Sequence, residues 1–174
     1  YHDHEDRMKN STLALSLLQQ DFDTTIVFGE QGGSAFKGFP NYRQFDYPDF
    51  HRTRMLNEMA VDAKTPYVVN YDCDIIVPPM QFVLAKIALK NGAQMVYPYD
   101  GRFARMPRQN WLTPMRQFKD IGIVGGTVFK GKNEKPMPVS SVGGVVVVER
   151  KAFFESGGEN EGMVSFCPED CERW

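Results

Sequence analysis

Two aspartates separated by one residue, Asp72 and Asp74, stand in the stretch "NYDCDIIVPP" where the apolar run "YVVNY" gives out. Like charges this close repel unless something positive lies beside them. Carboxylate oxygens at a strand end, where the chain turns, suit a hard cation: Mg2+ or Mn2+ takes one or two carboxylates together with substrate phosphates. The other carboxylate can then meet a sugar hydroxyl or a metal-bound water. A plainer alternative makes both of them turn carboxylates ahead of the next helix. A bare D-x-D arises by chance in many chains, and what lifts this one is its place between two apolar runs, where unpaired charge is costly.

Two other clusters carry chemistry. "PEDCE" brings together Glu169, Asp170 and Glu172 just after the aromatic Phe166. Structurally it reads as an acid-rich first helical turn begun by Pro168, and chemically as the place for a general base. "FHRTRMLNEM" puts Arg52 at the first turn of an amphipathic helix, either as a solvated cation or aimed at a phosphate. Each signal is weak alone.

The elements that must position these residues alternate. Met8, Ala14, Leu15, Leu17 and Leu18 predict a helix over 5–20, and "TTIVFG" a strand after it. Met55, Leu56, Met59, Ala60 and Ala63 form one face of a helix over 52–63, followed by the strand "TPYVVNYD". A helix over 79–90 has proline in its first turn, an Asn91-Gly92 stop, and an apolar face of Met80, Val83, Leu84, Ile87 and Ala88. "AQMVYPYD" is the strand beyond it. This order predicts parallel β-α units, an α/β fold with helices covering a sheet. From 100 to 138 the periodicity fades, and the stretch reads as a long flexible insert of the lid or binding-loop kind, with Arg102, Arg105, Arg108 and Arg116 scattered through it. "SSVGGVVVVER" is a buried strand and "KAFFESGG" a short helix with a glycine stop.

At 174 residues the chain fits one domain. Such a sheet normally opens with a strand before its first helix, and the chain closes just after the acidic cluster, so the domain is expected to be incomplete at both ends. A net charge of −2 gives no reason to expect a nucleic-acid partner. Cys73, Cys167 and Cys171 are odd in number and lack paired C-x-x-C spacing, so they indicate neither a disulfide framework nor a zinc site, and a reducing compartment fits best. No apolar run approaches the ~18–20 residues of a membrane span. The expectation is a cytoplasmic chain with no transmembrane segment, free to associate peripherally with a membrane surface.

Taken in order, "FHRTRMLNEMA", "YVVNYDCDIIVPP", "SSVGGVVVVERKAFFESGGENEG" and "FCPEDCERW" resemble the GT-A fold glycosyltransferases, and within them the galactosyltransferase-type family. That family carries an F-N-R-A-K-x-L-N segment, a D-V-D strand end, an F-G-G-V strand with a following G-F-x-N, and a W-G-W-G-G-E-D block. The likeness spans about Phe50 to Arg173 outside the insert, and the four-part order is more specific than any one part. It implies a GT-A fold with a mixed, mostly parallel sheet.

It also implies an inverting, metal-dependent transfer of a hexose or N-acetylhexosamine, galactose or N-acetylgalactosamine first, from a UDP-sugar donor to a glycan acceptor hydroxyl. Residue by residue, Asp74 is the implied metal ligand, Asp72 the donor-sugar or ribose contact beside the metal, and Arg52 the arginine that reaches the diphosphate. Gly143 and Gly144 are the glycine pair that lets the donor approach the backbone. Glu169 and Asp170 bind acceptor hydroxyls and supply the base, and Phe166 replaces a tryptophan that covers donor and acceptor. His51 stands for the asparagine, Cys73 for the valine, and "FCPED" for W-G-G-E-D. The alternatives are a nucleotidyltransferase, which would show an early glycine-rich phosphate loop, and a catalytically silent sugar-nucleotide-binding domain.

Overall fold

The computed structural model describes residues 4–21, 24–33, 36–99 and 143–165. Helix α1 (His4–Asp21) leads into strand β1 (Phe28–Gln31), which pairs in parallel with β2 (Tyr42–Phe45) in a two-stranded sheet. Helix α2 (Arg52–Asp62), β3 (Tyr67–Tyr71), α3 (Pro79–Lys90), β4 (Met95–Val96), β5 (Val145–Glu149) and α4 (Arg150–Glu155) follow, and β3, β5 and β4 form a second sheet in that order. The chain is α/β.

Strand direction departs from the expected parallel units. β3 and β4 do share a direction across the α3 crossover, but β5 lies between them and is antiparallel to both, with Val69 opposite Val147 and Val96 opposite Val147 on the other side. Composition explains its central place. "VVVV" is buried on both faces, whereas β3 and β4 are each partly exposed, and an unbroken β-branched run is stable only with cover on both sides.

Alternation along β5 sends its side chains to two cores. Val146 and Val148 pack with Ala60 of α2, Phe153 of α4, Val68 and Tyr97. Val147 packs with Ala85 and Leu89 of α3, together with Tyr67, Phe82 and Val96. Helices therefore cover the sheet on both sides.

The face expected of α2 is the packed one, with Met55 and Ala60 buried. That of α3 is not. Ala85 and Leu89 are buried, while Met80, Val83, Leu84 and Ile87 are exposed. Both strands flanking α1 and α3 are also displaced or shortened relative to expectation. The first begins at Phe28, where Tyr42 first stands opposite, and β4 stops at Val96, ahead of Pro98, which cannot extend a ladder.

Glycine ends two helices by the same device. After α3, Gly92 (φ 101°) and Ala93 donate to Leu89 and Ala88; after α4, Gly157 (φ 95°) and Gly158 donate to Phe154 and Phe153. This is the left-handed stop that glycine adopts without a Cβ penalty. Among the described residues no helix is long and apolar enough to cross a membrane.

Candidate functional site

At the carboxyl end of β3 the chain turns at once. The Asp72 N–H donates to Gly144 O at 2.7 Å, and Ile75 N–H donates back to Asp72 O at 3.2 Å, so Cys73 and Asp74 occupy the tip. Beneath it, the Tyr71 hydroxyl donates to Ile75 O at 2.6 Å and its ring stacks on Phe82 of α3. Burial, and then the charges of Asp72 and Asp74, push the Tyr71 hydroxyl pKa up, although a backbone bond from Val77 opposes this. The tyrosine is a neutral prop under the acidic turn.

Gly144 has a tighter reason to be glycine than open access for a donor. Its φ is 92°, and a Cβ there would run into Ile75 Cδ1. The Gly143 carbonyl accepts a hydrogen bond from the Tyr99 hydroxyl at 2.5 Å. The glycine pair thus locks the entry of β5 onto the Asp72 turn.

Arg52 opens α2, and its Nε and Nη2 both donate to Asp72 Oδ1, at 3.2 and 2.7 Å. The helix cap, His51, makes no side-chain capping bond, and the first turn holds no acid. The positive end of the helix and the guanidinium therefore add, and Asp72 supplies the negative charge from the neighbouring strand. Two residues that the sequence holds twenty positions apart form one corner.

A divalent cation arriving with a diphosphate needs only one or two carboxylates from the protein. Asp74 fits that need, because it is exposed at the turn tip and makes no hydrogen bond or ion pair among the described residues. Asp72 fits less well as an equal ligand, since its Oδ1 already carries the guanidinium. Among the described residues no group of three or more His, Cys, Asp or Glu side chains could hold a metal ion by itself. Of the two, Asp74 is the carboxylate that could hold a cation shared with phosphates.

Cys73, between the two, is exposed as a residue while its thiol meets the Ser11 hydroxyl of α1. Burial of the sulfur and then the Asp74 and Asp72 charges raise its pKa, against the Ser11 bond, so the reactive thiolate is disfavoured.

A second assembly carries no signal that was singled out in the sequence. The Asn70 amide, inside β3, donates to Glu159 Oε1 at 2.5 Å, and both residues are buried. Asn57 of α2 grips the same glutamate through the backbone, donating to Glu159 O at 2.9 Å and accepting from Glu159 N–H at 2.8 Å, and it also donates to Glu161 Oε1. Further along, Thr53 Oγ1 donates to Met163 O and Ser165 N–H donates to Phe50 O at 2.7 Å. The segment from Gly157 to Ser165 is thereby laid along α2 and returned to its Arg52 end. An asparagine in the apolar run "YVVNY" was the one legible hint, since a buried amide needs a partner.

Arg52, Asp72, Asp74, Gly143 and Gly144 are thus brought to one corner. Phe166, Glu169 and Asp170, and the insert at 100–138, lie outside the described residues. A shallow depression of about 420 Å³ lined by Gln19, Phe36, Gly38, Phe39 and Pro40 shares no residue with the corner. No protein-family profile matches the chain, and no curated protein matches it.

Proposed function

We propose that the chain is an inverting, metal-dependent glycosyltransferase of the GT-A type, moving galactose or N-acetylgalactosamine from a UDP-sugar to a glycan hydroxyl. The observation that carries this reading is the meeting of Arg52, Asp72 and Asp74 at the carboxyl end of β3, the end of an α/β sheet where ligands bind. The α/β class is compatible with this reading, although the β3–β5–β4 sheet is antiparallel at both of its pairings where the resemblance implies a mostly parallel one.

In this reading Arg52 donates to diphosphate oxygens through the same planar fork that it now turns on Asp72. Asp72, released from part of that pairing, accepts hydrogen bonds from hydroxyls of the donor sugar. Asp74 would hold a Mn2+ or Mg2+ ion, which would supply the charge that neutralises the diphosphate leaving group. The bond from C1 of the sugar to the diphosphate oxygen breaks as the acceptor oxygen bonds to C1 from the opposite face, and Asp170 takes the acceptor hydroxyl proton. Glu169 and Phe166 complete the acceptor side.

The test is UDP release from UDP-galactose and UDP-N-acetylgalactosamine with Mn2+ or with chelator. The reading expects metal-dependent release that a glycan acceptor accelerates, and a transfer rate in Asp170→Asn lowered by roughly 10²–10⁴ with donor binding kept. Donor binding without any turnover would identify a silent sugar-nucleotide-binding domain. Pyrophosphate release from a nucleoside triphosphate would identify a nucleotidyltransferase. A collapsed rate in Glu169→Gln with a full rate in Asp170→Asn would exchange the two carboxylates' roles.

A further inference from the structure

Helix α3 is apolar on two opposite sides. At 3.6 residues per turn, Phe82, Ala85 and Leu89 form the side packed on β5, while Met80, Val83, Leu84 and Ile87 fall in an arc of about 100° directed the opposite way. Those four are 55, 47, 46 and 50% exposed. Single exposed apolar residues need no explanation, but four on one helical stripe form a contiguous patch of the kind that marks an interaction surface.

The charges beside the stripe narrow the occupant. Lys86 and Lys90 are exposed one turn apart along one edge, and neither makes a salt bridge among the described residues. The helix holds no aspartate or glutamate. An apolar stripe with lysines along one edge and the uncharged Gln81 and Ala88 along the other suits a surface that is oily below and negative above, with the lysine stems lying over the boundary and their ammonium groups at the headgroups. A second copy of the same stripe would offer these lysines no carboxylate. A convex single helix also presents a ridge, to which a fluid bilayer conforms.

We propose that α3 is an interfacial membrane-docking helix, which lies on an anionic lipid surface through Met80, Val83, Leu84 and Ile87 with Lys86 and Lys90 on the headgroups. The helix begins four residues after Ile75, so docking would hold the Asp72–Ile75 corner near the headgroup layer. The inference stands apart from the transferase reading, because it needs neither donor nor turnover.

Vesicle flotation of the whole chain tests it, using phosphatidylcholine alone and a two-to-one mixture with phosphatidylglycerol. The expected result is flotation with the mixed vesicles, a loss of roughly tenfold or more in partitioning for Lys86→Glu/Lys90→Glu, and a comparable loss for Leu84→Glu/Ile87→Glu. All four positions are exposed, so circular dichroism of both variants should match the parent. No flotation by the parent, or flotation that neither variant weakens, would overturn the proposal. A concentration-dependent dimer in sedimentation, dissolved by Leu84→Glu/Ile87→Glu, would assign the stripe to a second copy instead. Retention of the parent on an acidic amphipathic peptide but not on vesicles would assign it to a protein partner.

Discussion

The two helices that cover β5 are used differently. α2 buries one face and commits several polar side chains inside the molecule: Arg52 on Asp72, Thr53 on Met163, Asn57 on Glu159 and Glu161. α3 packs one apolar face on the same strand and turns a second apolar face outward. The same sheet therefore has a side where hydrogen bonds fix the position of a site and a side where nothing polar on the helix is committed inward. A helix whose polar groups are satisfied locally is a positioning element, whereas one with unspent apolar surface faces a partner.

The largest effects should separate the two faces of α3. Leu89→Ala is expected to cost about 2–5 kcal/mol in urea unfolding, and Leu84→Ala within about 0.5 kcal/mol, because only the first opens a cavity. Equal costs would mean that the outward stripe is covered. Next comes the entry of β5, which both helices share. Gly144→Ala forces a Cβ into the left-handed region and into Ile75, for an expected loss of about 2–3 kcal/mol. Adding Ile75→Ala should return the part due to the clash and leave the backbone part; no recovery at all would place the whole cost in φ.

Asn57→Ala should cost about 1–3 kcal/mol and, more tellingly, speed hydrogen exchange from Glu159 to Met163 while leaving α3 protected. Uniform acceleration across the chain would make Asn57 a general core residue. The smallest effect lies on the outer edge of α2, where Tyr47 donates to Glu58 at 2.7 Å and Arg54 donates to the same carboxylate. The Tyr47 bond, followed by the arginines, holds the Glu58 pKa below its ordinary value against burial. A depressed acid adds stability above its unfolded pKa and loses it as pH falls through the folded one, so the melting temperature should drop slightly more steeply below about pH 4.5 in the parent than in Tyr47→Phe. Burial and the same bond raise Tyr47 to about 12, so its contribution persists past pH 10 and is lost as pH rises through 12. Identical profiles in both proteins would show that the edge network carries no stability.

What could be read from the sequence follows what is local. The ends of α3 and α4 were legible because Pro79, Gly92, Gly157 and Gly158 act within a few residues of themselves. The inward face of α3 was not: with apolar residues on two opposite sides, periodicity favours the larger side chains of Met80, Leu84 and Ile87, and the sheet selected the side where Ala85 allows close approach. Strand direction was illegible for a related reason, since β5 pairs with residues almost eighty positions earlier. At the site, Asp72 and Asp74 were visible as a motif and Arg52 as a cation at a helix's first turn. The Asn57–Glu159 clasp, spanning 102 positions, had no local pattern to announce it. The Arg52–Asp72 pair also gives the two aspartates distinct circumstances that their symmetry as D-x-D conceals.

That asymmetry is the centre of the account, and calorimetry on Asp74→Asn tests it most directly. UDP-galactose and UDP-N-acetylgalactosamine are titrated into the parent and the variant, each with Mn2+ and with chelator. The account expects donor affinity that depends on Mn2+ in the parent and is lost in Asp74→Asn, with the melting temperature unchanged because the side chain is exposed and makes no ion pair among the described residues. Metal-dependent affinity that survives in Asp74→Asn would contradict it and move the cation away from the β3 turn.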